Sequence, residues 1–140
     1  MGQQQLLLIV LGTIIIGIAI TVGLSIFGGN SVLAERDALI QDLNIIAANA
    51  RTYFVKPRNM GGGSYSFQGY RLPKGFKENG NGFFECVLQG NDLLLTARSR
   101  ENPSEDIITA VLRSGGDKLD NWVFYGKFEE YGDIEDEGEE

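Results

Sequence analysis

The chain has no histidine, a single cysteine (Cys86), three prolines, and no charged side chain before Glu35. Without histidine there is no imidazole base and no ordinary zinc or haem ligand set. One cysteine excludes an intrachain disulfide and every CxxC motif, and so a haem-attached conducting filament as well. The only Asn-X-Ser pattern, Asn102-Pro103-Ser104, is blocked by its proline and offers no glycosylation acceptor. The serines lack nucleophile-elbow spacing and the carboxylates of residues 35–128 are scattered, so no catalytic constellation stands out and an enzyme is not expected. No phosphate loop follows Gly61-Gly62-Gly63-Ser64, because no Lys-Ser/Thr comes after it. Neither cofactor nor metal is expected.

What is present begins with Leu6 to Phe27, 22 residues without a charge. As a helix they reach about 33 Å, enough for a bilayer core of about 30 Å. Backbone groups in lipid must be satisfied within their own segment, so a lone span of this kind has to be helical. A buried helix in a soluble domain is the poorer reading, since 140 residues cannot build a core around so long an apolar segment.

About a hundred residues remain, enough for one small domain. Net charge is −7 and unevenly placed: residues 35–128 carry 12 Lys/Arg against 11 Asp/Glu, and residues 129–140 carry eight Asp/Glu alone. The body reads as nearly neutral and the tail as acidic, either solvated or able to hold Ca²⁺. With no evident cluster of Lys/Arg, nucleic acid is not an expected partner.

Met1-Gly2-Gln3-Gln4-Gln5 carries no basic residue, unlike a signal peptide or the cytoplasmic flank of a plain anchor. The expectation is that a basic leader has been removed ahead of Met1. In this arrangement the chain resembles the type IV pilins and related pilin-like subunits: about twenty apolar residues, an amphipathic helical continuation, then a β-rich domain. With Met1 as first residue, Gln5 falls where most of that family carries a glutamate, and Leu6 to Ile20 match its hydrophobic run. The resemblance covers about the first 55 residues, and the remainder only as architecture. It implies processing by a prepilin peptidase, a methylated N-terminus, an inner-membrane precursor, and an extracellular homopolymer built by assembly machinery for adhesion or motility. Its assembly residues would be Met1, Gln3, Gln4, Gln5, Leu6, Leu7, Leu8, Ile9, Gly12, Gly17 and Gly23. The neutral Gln5 departs from the pattern, since an amide bonds a neighbouring amine more weakly than a carboxylate does. The three glutamines either bond between helices or rest among lipid headgroups. Two other readings are a minor pilin or secretion pseudopilin, and a single-span protein whose β-domain binds a partner.

Five glycines interrupt the run: Gly12, Gly17, Gly23, Gly28 and Gly29. The resemblance implies that the backbone between about Gly12 and Gly23 melts in assembled filaments; a continuous glycine-containing helix is the alternative. Gly28-Gly29-Asn30 reads as a joint, with Asn30 or Ser31 capping a new helix. From there to Lys56, Leu39, Leu43, Ile46, Ala47, Ala50 and Phe54 recur at three- and four-residue steps, and Pro57 stops the helix.

An α+β fold follows: a long helix packed on an antiparallel meander. Its segments are 1–30 (membrane or filament core), 31–56 (amphipathic helix), 57–128 (β-rich domain) and 129–140 (acidic tail). The predicted strands are Gly82 to Gln89, Asp92 to Arg100, Asp106 to Arg113 and Asn121 to Phe128, with a short edge strand over Tyr65 to Tyr70. Gly90-Asn91 closes the first pair as a tight hairpin. The predicted inward rows are Phe84, Cys86, Leu88; Leu93, Leu95, Ala97; Ile108, Ala110, Leu112; and Trp122, Phe124, Phe128. Cys86 is thus expected to be a small core residue.

Overall fold

The computed structural model describes residues 2–132. Met1 and the tail beyond Gly132 lie outside the described residues, and with them the expectations placed on Met1 and on most of the acidic run. The chain divides into two compact units, Met1–Ala34 and Glu35–Glu140.

Helix α1 spans Gly2–Val55 without interruption. The expected joint at Gly28-Gly29-Asn30 is therefore absent, and neither Asn30 nor Ser31 starts a new helix. Each glycine costs a helix about 1 kcal/mol relative to alanine. That is less than breaking the hydrogen-bond ladder, and no proline forces a break before Pro57. In the single chain the stretch from Gly12 to Gly23 is likewise helical. Val55 ends the helix because Lys56 precedes Pro57, and proline pushes its predecessor out of helical geometry. The open carbonyls at this end are taken up by the next loop: Gly63, Ser64 and Tyr65 donate N–H groups to Tyr53, Lys56 and Phe54.

Within the second unit, Leu39, Leu43, Ile46, Ala47, Ala50 and Phe54 are all buried along one face of α1. Each of the larger ones contributes about 1.5–3 kcal/mol by leaving water. They pack on a four-stranded antiparallel sheet in the order β1-β2-β3-β4. Its strands are β1 (Gly82–Gln89), β2 (Asp92–Ser99), β3 (Ile107–Leu112) and β4 (Leu119–Phe124). Gly90, with φ of +62°, supplies the left-handed position that the two-residue turn between β1 and β2 demands. Leu93, Leu95 and Ala97 on β2 and Ile108, Ala110 and Leu112 on β3 are buried as expected.

Three expectations need correction. Tyr65 to Tyr70 is not a strand: Ser64, Tyr65 and Gly69 all have positive φ, and the loop folds back so that Phe67 is buried 4.7 Å from the Phe54 ring. Of the expected inward row on the edge strand β1 only Phe84 is buried; Cys86 is half-buried and Leu88 exposed. The fourth strand starts two residues early and stops at Phe124. Thr109 pairs with Val123 but Val111 with Asp120, so β4 carries one extra residue at a bulge, and Asn121 sits there at φ +53°. The bulge reverses the alternation, turning Leu119 and Phe124 to the core and leaving Trp122 half-buried. Phe128 reaches the core from a 3₁₀ turn over Gly126–Tyr131. A second short helix, α2, covers Lys74–Lys77.

Candidate assembly segment and a cationic cleft

Gln3, Gln4, Gln5, Leu6, Leu7, Leu8, Ile9, Gly12, Gly17 and Gly23 all stand on α1. Fifteen large apolar side chains from Leu6 to Phe27 are 49–74 % exposed. At about 1.5–3 kcal/mol for each one left in water, the unmet demand is tens of kcal/mol. The helix is long and apolar enough to cross a membrane. The two threonines of the apolar run already fit a dry surrounding, because their hydroxyls bond their own helix: Thr13 donates to the Val10 carbonyl and Thr21 to that of Ile18, both at 2.8 Å.

A Cβ added at Gly12, Gly17 or Gly23 would meet nothing within 4 Å. No neighbour within the chain requires glycine at these positions, and the helix loses stability by having it.

The second unit carries a feature that reading strand by strand had missed. Residues 43–77 contain six Lys/Arg and no Asp/Glu. The signal was in the sequence, but it is diluted by the acidic stretches on either side. The fold gathers Lys56 and Arg71 on a cleft of about 380 Å³ with Tyr53, Tyr70, Asn49 and Thr52. The tyrosine rings lie 5.4 Å apart. The Tyr53 hydroxyl donates to the Gln68 carbonyl and that of Tyr70 to Asn49 Oδ1, which fixes both rings. Burial, helped by the nearby Cys86, pushes the Tyr70 phenol up to about 12, so it stays neutral. Arg58 follows one turn beyond the helix, and Lys74 and Lys77 lie on α2.

Among the described residues, Arg36, Arg51, Arg98, Arg100, Arg113 and Lys127 each pair with a carboxylate. Lys56, Arg58, Arg71, Lys74 and Lys77 are all exposed and make no such pair among those residues. Burial pushes the Cys86 thiol up to about 12, which keeps it protonated near neutral pH. Among the described residues no group of three His, Cys, Asp or Glu side chains is placed to hold a metal ion.

Comparison with family models, with curated proteins and with solved structures gives no match. A long helix with an apolar N-terminal part, joined to a small antiparallel sheet, is compatible with a pilin-like fold.

Proposed function

We propose that the chain is the structural subunit of a helical filament of the type IV pilus kind. Its apolar segment is held in the inner membrane until a short leader is cut, then transferred into the filament interior among copies of itself. The β-domains face outward and give the filament its adhesive or motile surface. The observation that carries this reading is the run of apolar side chains from Leu6 to Phe27, exposed on every side of the helix and interrupted by glycines that nothing in the chain requires. Lipid satisfies the first property, and closely packed copies satisfy both. A repeated head-to-tail contact that does not close on itself gives a filament, so one chain type suffices. The role is structural, with no catalytic step and no bound cofactor.

Electron microscopy of surface material sheared from cells expressing the chain tests it. Uniform filaments containing the chain, with an intact mass that fixes the N-terminal residue, are the expected result. A chain that stays in membranes under shear and is recovered in detergent only as a monomer removes the filament and leaves a single-span anchored domain.

A further inference from the structure

The charge of the second unit is separated into two poles. Residues 43–77 hold half of the chain's twelve Lys/Arg and no acid, whereas residues 129–140 hold eight of its nineteen acids and no Lys/Arg. The cationic pole surrounds the C-terminal end of α1. There the loop N–H groups already neutralise the carbonyl end of the helix, so Lys56, Arg58 and Arg71 are not engaged in doing so. The described start of the acidic run, Glu129 to Gly132, lies some twenty residues earlier along the same helix. Arg36 donates to the Tyr131 carbonyl, and Lys127 Nζ lies 2.6 Å from Glu35 Oε2.

From Arg36 to Lys56 the helix rises roughly 30 Å. Residues 133–140, drawn out completely, reach at most about 28 Å. A chain's own tail could seat its carboxylates around its own Lys56 and Arg71 only when largely drawn out, at a cost in chain entropy. The tail of another copy has no such limit.

We infer that the cleft bearing Lys56 and Arg71 takes the acidic C-terminal segment of a second copy of this chain. This rests on the reading that copies meet in a filament. The tyrosine pair gives the cleft a rigid floor, and the exposed cations supply ion pairs that steer the approach and fix which surfaces meet. The contact is heterologous, pole to opposite pole, so it propagates along a series of copies instead of closing a dimer. It is also salt-sensitive, because exposed ion pairs are screened over about 10 Å at 0.1 M salt and about 3 Å at 1 M.

The test uses the full chain in non-ionic detergent and a fluorescently labelled peptide of residues 129–140, followed by anisotropy. Saturable binding at low salt is expected, weakened at least about tenfold by Lys56→Glu with Arg71→Glu. Lys118→Glu, the same kind of charge change on an exposed lysine outside the cleft, should shift it by less than about twofold. Absence of binding overturns the inference, as does equal weakening by Lys118→Glu. Displacement of the peptide by a single-stranded oligonucleotide at lower concentration than unlabelled peptide also overturns it, by assigning the cleft to nucleic acid. Filaments that form while the peptide fails to bind remove this contact alone. Peptide binding by a chain that never forms filaments keeps the contact and removes the filament.

Discussion

Lys127 joins the C-terminal 3₁₀ turn to the first charged residue of the chain: its ammonium lies 2.6 Å from Glu35 Oε2, with Glu101 Oε2 at 3.1 Å. Glu35 also accepts from the Ser99 hydroxyl at 2.5 Å, and the Lys127 backbone N–H donates to the buried Asp106. Both members of the Glu35–Lys127 pair are about three-quarters withdrawn from solvent. Replacing Lys127 by methionine keeps the stem and leaves Glu35 with the serine alone. The expected loss is about 1–2 kcal/mol in urea unfolding of the detergent-solubilised chain, more than an exposed ion pair contributes.

The same pair has a pH signature. Burial alone would lower the Lys127 ammonium, but hydrogen bonds and charge from Glu35 and Glu101 outweigh it and raise it above its ordinary 10.5. A group raised on folding stabilises fully below its unfolded value and loses that contribution as pH climbs through the folded one. The stability gap between wild type and Lys127→Met should therefore be flat from neutral to about pH 10 and close above it. Cys86 and Tyr70 are raised too, but they titrate in both chains and cancel in the difference. A gap that closes below pH 9 would assign the effect to another group.

How much of this was legible depended on whether a residue's role repeated. The two strands and the turn of the β1–β2 hairpin were readable to within a residue, because alternation on both sides of Gly90-Asn91 leaves one register open. The buried face of α1 was readable for the same reason. Asn121 was not: a single left-handed residue reverses the parity of β4, and no periodic pattern announces a bulge. Phe67 was assigned to a strand face, when it is a loop residue folded back under Phe54. The joint at Gly28-Gly29 was overread, since glycine permits a break without requiring one. Among the candidate site residues, those on α1 were visible as a long uncharged run. The cationic cleft was not, because its members come from the helix end and from the loop after it, and only the fold shows that Lys56 and Arg71 share a wall.

Gly126 is a second point of control over the C-terminal turn. Its φ is +67°, and a Cβ there would fall 2.3 Å from Asp106 Oδ1 and 2.7 Å from the Glu105 carbonyl oxygen. Alanine at 126 meets both a disfavoured backbone and a clash with main chain. Gly126→Ala should cost at least about 2 kcal/mol and release the 3₁₀ turn, read as faster amide exchange at Lys127 and Phe128. Gly115→Ala, where nothing lies within 4 Å, is the control and should cost under about 1 kcal/mol.

Cys86 should be a slow thiol. With its value pushed to about 12, thiolate at pH 8 is scarcer by roughly three powers of ten than for an ordinary cysteine at 9. Alkylation by iodoacetamide in the native chain should run at least about a hundredfold slower than in urea. A native rate within a few-fold of the unfolded one would mean that the edge strand β1 opens readily.

The division of labour between the two units gives the sharpest contrast. Phe67 is 1 % exposed and packs on Phe54, whereas Leu8 is 68 % exposed and touches nothing in its own unit that would notice its loss. Phe67→Ala should destabilise the second unit by about 3–5 kcal/mol, the usual cost of truncating a fully buried phenylalanine. Leu8→Ala should leave the same unfolding transition within about 0.5 kcal/mol. For assembly the order reverses. Leu8→Ala, or Gly17→Leu, should reduce filament yield while the β-unit unfolds as before, because these positions act on neighbouring helices and not on their own fold. If Gly17→Leu assembled normally, close helix approach at that glycine would be excluded, and the apolar run would need no more from its surroundings than lipid supplies.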